Sequence, residues 1–449
     1  MTDSLCGAFY RENALCSTAR RAGDPACHRS ARRPTLRFHA RGRQDAVVMS
    51  VYECINIKGE NMSRVALLKC EEYHSLVIKE KMIEALDLLG LDPGIFAGKR
   101  VVIKPNLLSA TAPEKGVVTH PEFFRAALRM VRDHGGAPIL CESPGFQPLA
   151  KVMKKAGYDR IAEEEGCEVA DPKATRILFY DGPCRFKRFE ISSAVFDADL
   201  ILNLPKFKTH GLTYITGAVK NLFGLIYGLN KSQWHLKARS KEEFSEFLLD
   251  YYSALLHGFE KRKVFIHLMD AVVGMEGEGP GVAGRPRKIG ALVAGESAVS
   301  VDAVATSVAG LRLKEALTVT LGEKRGLGAG SPDRIDLRGA GLDAFKIRGY
   351  VPSKASGRSP VSAWPLNTKR FKELLVEKPV PSKERCTLCY QCKAICPGKA
   401  IGESKGNSGV PAYDYEKCIR CYCCMEICPE AAVGLKRGKL QWIMDWWSK

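Results

Sequence analysis

From Val65 onward the chain alternates short apolar runs with longer stretches whose apolar residues recur at helical spacing. "RVALLKC" (Arg64–Cys70) precedes "VIKEKMIEALDLLG", "KRVVIKPNLL" precedes "PEFFRAALRMVRDHGG", and "APILCESPG" precedes "PLAKVMKKAGY". Strand then helix, repeated, predicts a mostly parallel sheet with helices on both faces, an α/β fold. The later runs "DADLILNLP", "KVFIHLMDAVVG" and "KIGALVAG" predict further strands, and "SVDAVATSVAGL" predicts a helix. These patterns assign residues 62–344 to one α/β domain.

The pattern fails at both ends of that domain. Residues 1–57 hold nine arginines and no lysine, whereas lysine is used freely from Lys58 onward. Residues 1–61 are therefore expected to be a disordered extension, either an Arg-rich transit peptide or the product of a start codon placed upstream of Met62. Residues 345–380 are basic and carry Pro352, Pro360, Pro365 and Pro379, which predicts a linker with one short helix near "TKRFKELLVE". Residues 381–449 form a small module ending in "LQWIMDWW", where Trp442, Trp446 and Trp447 are spaced to bury against a neighbour.

At 449 residues, 45% hydrophobic and 26% charged, the chain can bury two or three cores. Glu296 and Asp302 interrupt the longest apolar stretch, so no run approaches the roughly 20 residues that span a bilayer. The net charge of +18 is spread along the sequence. That distribution favours small anions or an acidic protein partner over nucleic acid, whose binders concentrate basic residues with aromatics on one motif.

Seventeen cysteines change the picture further, because nine of them fall between Cys386 and Cys428. An odd total without a secretory segment points to a reducing, cytoplasmic setting in which clustered cysteines are ligands. The module repeats itself at an offset of 32 residues, pairing Cys386 with Cys418, Cys389 with Cys421, Cys392 with Cys424 and Cys396 with Cys428. Each half reads Cys-x2-Cys-x2-Cys-x3-Cys-Pro and resembles the bacterial two-cluster ferredoxins, an α+β fold. That resemblance implies two 4Fe-4S clusters, one held by Cys386, Cys389, Cys392 and Cys428, the other by Cys418, Cys421, Cys424 and Cys396. Zinc is the alternative, but tetrahedral zinc takes two CxxC pairs and leaves the third cysteine of each run unexplained. Cys423 lies opposite Gln391 in the repeat, which makes it a packing residue or a weak hydrogen-bond partner to cluster sulfur. From Cys386 to the C-terminus there are nine Lys or Arg against six Asp or Glu, a balance that suits an acidic electron donor such as a ferredoxin.

In the α/β domain, "VVIKPNLL", "ILNLPKFKTHGLTYITGAVKNLFG", "MDAVVGMEGEGP" and "SVDAVAT" together resemble the domain of unknown function 362 family. Members often carry an appended two-cluster module, so the resemblance implies architecture more than activity.

Polar residues at strand ends supply the candidate chemistry, since ligands bind at the carboxyl ends of parallel strands. Lys104, Asn106, Lys206, Lys208 and Asn221 are expected to surround a carboxylate or phosphate. His210, Lys220 and Asp270 are expected to move protons as catalytic residues. For Lys206 and Lys208 a solvated basic loop is the competing reading. Lys220 and Asn221 interrupt an otherwise apolar segment, which favours function. Asp270, Glu276 and Asp302 offer oxygens for a further cofactor or cation, although Asp302 reads first as a helix cap. "Gly279-x-Gly281-x-x-Gly284" matches a dinucleotide fingerprint formally but lacks the helix that must follow, leaving an anion nest or a hairpin-like loop. His120 precedes a proline and a helix and is expected to act locally, and Cys141, beside Glu142, is expected to be buried.

Three functions remain. The first is an oxidoreductase passing electrons from the clusters to an anionic small molecule or cofactor in the α/β domain. The second is a non-catalytic electron-transfer or cofactor-handling protein, and the third an acid-base enzyme with structural clusters.

Overall fold

The computed structural model describes residues 62–228, 230–238, 240–345, 347–356 and 377–436. The expected extension 1–61, most of the helix expected near "TKRFKELLVE" and the tail tryptophans lie outside the described residues.

Strand β1 (Ser63–Lys69) leads to α1 (Ser75–Leu88), and β2 (Arg100–Pro105) leads to α2 (Pro121–Asp133). β3 (Ala137–Leu140) is followed by α3 (Leu149–Ala156), α4 (Tyr158–Glu164) and the short β4 (Glu168–Val169). A separate hairpin, β5 (Thr175–Phe179) and β6 (Arg188–Ser192), precedes α5 (Ser193–Asp197) and β7 (Leu200–Leu204). Then come β8 (Lys206–His210), β9 (Tyr214–Thr216), α6 (Ala218–Leu222), α7 (Asn230–Lys237) and α8 (Lys241–His257). The long strands β10 (Val264–Gly277) and β11 (Gly284–Gly295), then α9 (Ala298–Val308), α10 (Leu317–Lys324) and β12 (Ile335–Gly339), finish the body.

The main sheet has the order β12-β1-β11-β10-β7-β2-β3-β4, with β8 beside β10 and β9 beside β8. Its pairings are parallel except for β1–β11, β10–β11 and β8–β9. Strand residues alternate between two cores. Val102 packs on one face with side chains from α8 and α9, while Val101 and Ile103 pack on the other with α1 and α2. Each such fully buried side chain contributes about 1.5–3 kcal/mol, and because both faces are covered the strands read as continuous apolar runs.

Two local readings change, and a third resolves to one of its alternatives. Lys206–His210 is strand β8 rather than a loop. Asp302 lies inside α9, whose cap is Ser297, with Oγ accepting from Ser300 N–H at 3.3 Å. The Gly279–Gly284 segment is the turn of the β10–β11 hairpin.

The C-terminal part contains β13 (Lys378–Pro381), α11 (Gln391–Ile395), β14 (Ile401–Ser404), β15 (Pro411–Tyr413), α12 (Cys423–Ile427) and β16 (Val433–Lys436). Its 32-residue repeat extends to the backbone. Leu388 and Arg420 have φ of 54° and 61°, Tyr390 and Tyr422 of 56° and 63°, Lys399 and Ala431 of 48° and 46°. Left-handed conformations are costly for such residues, so their pairwise recurrence marks two loops wound alike. Two described stretches of the expected linker are structured: Val351 accepts from Gly277 N–H at 2.7 Å, and β13 pairs with β16. The prolines of β13 fit because a two-stranded sheet leaves an edge that needs no donor.

Candidate functional site

Side chains alternate along a strand, so Lys206, Lys208 and His210 share one face of β8 while Phe207 and Thr209 point the other way. All three are buried, which excludes a solvated loop. The face runs from inside the sheet toward the C-terminal module, and each residue meets a different partner.

At the inner end Lys206 Nζ donates to Asp270 Oδ2 at 2.9 Å and to Tyr73 Oη at 2.6 Å. Asp270 also accepts from Tyr73 Oη–H at 2.8 Å and from His120 N–H at 2.9 Å, and Tyr73 stacks on the His120 ring at 3.6 Å. Asp270 is wholly buried and fully hydrogen-bonded, which places it in a structural pair rather than in the catalytic role expected of it. His120 serves its own helix, its Nδ1 accepting from Glu122 N–H at 3.2 Å.

In the middle Lys208 Nζ donates to Asn106 Oδ1 and to Val117 O, both at 2.7 Å, and forms no ion pair with a carboxylate among the described residues. Burial, reinforced by Lys220 and Lys206, holds its ammonium well below the ordinary lysine range. Asn106 Nδ2 donates to Asn221 Oδ1 at 2.9 Å, and Asn221 Nδ2 donates to Asn203 Oδ1 at 2.8 Å. Lys104 joins this network but is neutralised by Glu142, at 2.6 Å. That pair needs Gly224, because a Cβ there would lie 2.5 Å from Lys104 Nζ and 2.4 Å from Glu142 Oε1. Lys104 and Lys206 are thus tied to protein carboxylates and are not free to bind an anion, contrary to the expectation for both. Cys141 is buried nearby, its thiol pushed up to about 11 by desolvation.

At the outer end His210 meets the module. Its Nδ1 accepts from Leu212 N–H at 2.9 Å, and burial keeps the ring neutral, which assigns its proton to Nε2. Nε2 is 3.2 Å from Glu426 Oε1, although the N–H is not aligned on the oxygen and makes no hydrogen bond. Gly281 completes the seam, where a Cβ would stand 2.4 Å from the carbonyl oxygen of Glu426.

Beside this contact lies a cavity of about 110 Å³ between body and module. Thr216, Lys220, Asn221 and His235 face it from the body, Cys423 and Glu426 from the module. Lys220 has no hydrogen-bond or carboxylate partner among the described residues, and its Nζ lies 6.0 Å from the centre of the Phe223 ring. Burial lowers its ammonium, opposed by Glu426. Thr216 Oγ1 and His235 Nδ1 are buried and likewise unpartnered. Lys231, on the same wall, donates to Ser143 O and is lowered to about 8 by burial. Thr216, Lys231, His235, Glu142 and Glu426 were not singled out by the sequence reading. The i, i+4 spacing of Lys231 and His235 on α7 was the available signal.

Asp302 and Glu276 lie elsewhere. Asp302 accepts from Ala218 N–H and, at 3.1 Å, from Val219 N–H at the start of α6, and burial raises its carboxyl to about 7. Glu276 is bound by Arg285 and Val351 N–H, each at 3.2 Å. The expected cation ligands are therefore dispersed, and among the described residues no three His, Cys, Asp or Glu converge on one ion.

The module's cysteines surround two further cavities. Cys386, Cys389, Cys392 and Cys428 line one, and Cys396, Cys418, Cys421 and Cys424 line the other. Tyr413 borders both. Cys396 Sγ accepts from Ala400 N–H at 3.3 Å and Cys428 Sγ from Ala432 N–H at 3.2 Å, so the repeat extends to the sulfur contacts. Cys423 lines the second cysteine cavity and also the seam cavity.

Comparison with known proteins locates the body of this site. The family described as domain of unknown function (DUF362) matches residues 101–307. The thylakoid-associated protein sll1697 of Synechocystis sp. is 29% identical over 266 residues, covering 59% of this chain and 79% of that protein. Among solved structures, the lactate racemase apoprotein of Thermoanaerobacterium thermosaccharolyticum has a TM-score of 0.35 at 13% identity, covering 56% of this chain and 58% of that one. A Thermotoga maritima protein has a TM-score of 0.36 at 14% identity, covering 54% and 61%. The chain spans about three fifths of each of these two structures. The family match includes Lys104, Lys208, His210, Lys220 and Asp302, whereas every module cysteine lies beyond it. No helix of the described residues is long and apolar enough to cross a membrane.

Proposed function

We propose that this chain is an iron–sulfur oxidoreductase, with a ferredoxin-like module that holds two 4Fe-4S clusters and serves an anionic small molecule in the seam cavity. The grouping of eight cysteines around two cavities, four to each, fits the ligand sets that the repeat implies. The N–H donors to Cys396 and Cys428 stabilise thiolates, as ligand sulfurs require. Bound clusters of this kind supply single electrons at low potential.

Cys423 carries the functional reading, because it walls both the second cysteine cavity and the seam cavity and so sets them side by side. Lys220 holds the anion. Lys220, lowered by burial, is the lining group able to give a proton there, while His210, neutral, stands beside the cavity against Glu426. Cys389, on the first cavity, is exposed while Cys424, on the second, is buried, so an acidic donor would approach the first cavity and the substrate would lie by the second. Free thiols throughout the described residues suit a reducing cytoplasm.

The test is stopped-flow reoxidation of anaerobically reduced protein by a panel of small oxidised anions. An anion that reoxidises the wild type should do so at least about tenfold more slowly with Lys220→Met, one pairing interaction being worth about 1.4 kcal/mol or more. Equal rates across the panel would count against the reading.

A further inference from the structure

The seam cavity carries enough unpaired chemistry to define its ligand more closely, on the reading that this cavity is the substrate site. Three polar groups on its wall lack partners: the Lys220 ammonium, Thr216 Oγ1 and His235 Nδ1. Thr216 and His235 are 3% and 8% exposed, so water does not satisfy them cheaply. Of the other charged groups on the wall, the Glu426 carboxylate stands 3.2 Å from His210 Nε2, and the remaining two are engaged. Glu142 is bound by Lys104 and by Ser143 N–H, and Lys231 is bound to Ser143 O. Phe223, Leu107, Ile395 and Ile427 supply apolar surface between these polar groups.

We infer that the seam cavity binds a small monocarboxylate bearing one further oxygen, its carboxylate on Lys220 and its second oxygen on Thr216 and His235. A single free ammonium matches one negative charge. Phosphate sites use several charges or a run of backbone N–H donors, and the described lining contains no arginine. The volume of about 110 Å³ accommodates a compact molecule. The two unpartnered atoms on the wall require a polar group rather than a second methyl, because an apolar ligand would leave both unsatisfied. His235 stays neutral, lowered to about 3 by burial, so it acts by hydrogen bonding and adds no second positive charge.

Calorimetric titration of the anaerobically purified full chain tests this with four probes: 4-hydroxybutyrate, butyrate, inorganic phosphate and butylamine. The expected order is 4-hydroxybutyrate tighter than butyrate, with phosphate and butylamine not saturating. Lys220→Met should weaken both carboxylates at least about tenfold, and Thr216→Val should weaken 4-hydroxybutyrate alone by several-fold. Lys220-dependent binding of phosphate more tightly than either carboxylate overturns the ligand class. Carboxylate affinity unchanged in Lys220→Met overturns the site. If Lys220→Met does not fold, Thr216→Val decides: selective loss of 4-hydroxybutyrate supports the inference, and equal or no loss on both carboxylates overturns it. Iron assayed on the same sample separates the two readings. A chain without iron that binds carboxylate through Lys220 ends the redox reading alone, and an iron-loaded chain without Lys220-dependent binding ends this one alone.

Discussion

His210 Nε2 and Glu426 Oε1 stand 3.2 Å apart where the end of β8 meets α12, joining the α/β body to the cysteine module. Directly beside this contact the Glu426 carbonyl sits over Gly281. Gly281→Ala would introduce a carbon 2.4 Å from that oxygen, and backbone on both sides cannot yield as a flexible side chain would. The expected cost is about 1–3 kcal/mol in denaturant unfolding, with weaker ligand binding at the seam. Wild-type stability in this variant would show that the two parts do not meet here.

Lys104 and Glu142 form a buried pair, whereas Lys220 is half-buried and has no carboxylate partner among the described residues. Lys104→Met and Glu142→Gln should each destabilise by about 3–5 kcal/mol, and the double variant by less than their sum. Lys220→Met should be neutral within about 1 kcal/mol or stabilising, because it removes a partly desolvated charge with no hydrogen-bonded partner among the described residues. Urea titrations of the four variants read both halves. A large loss for Lys220→Met alone would mean that this ammonium has a structural role.

Asp302 gives a pH signature. Its folded carboxyl is raised to about 7 by burial, above an unfolded value near 3.8, so its contribution is fully present below about pH 4 and is lost as pH rises toward 7. Relative to Asp302→Asn, the wild type should lose on the order of 1.4 kcal/mol per pH unit across that window and then level off. Unfolding free energies measured at pH 4, 5.5 and 7 check this, and a parallel dependence in the two proteins would exclude Asp302 as the source.

The sequence revealed the sheet and the cysteine repeat because both rest on local periodicity. Short apolar runs marked β1, β2, β3 and β7, and the 32-residue offset recurs in the backbone angles of Tyr390 and Tyr422. β8 escaped because "KFKTH" places lysines, not apolar residues, on its buried face, and a period-two pattern of charges looks like a solvated loop. The pairings of Lys104 with Glu142 and Lys206 with Asp270 join residues far apart in the chain, which no spacing rule connects. The seam cavity was invisible for the same reason. It exists because α12 packs against the body, so Thr216, His235 and Glu426 gain meaning only once the two are docked.

Cys423 and Cys424 are adjacent, yet only Cys424 belongs to a four-cysteine set. Cys423→Ser should retain the full iron content of the wild type, while Cys424→Ser should lose iron from one site, about half of the total if the other site survives. Equal loss in both variants would break the ligand assignment.

The decisive measurement is iron and acid-labile sulfide analysis of the anaerobically purified full chain, with electron paramagnetic resonance after dithionite reduction. About eight irons and eight sulfides per chain, with the signal of two interacting reduced clusters, are expected. A chain that binds zinc in place of iron, or that carries no iron when purified without oxygen, would contradict it.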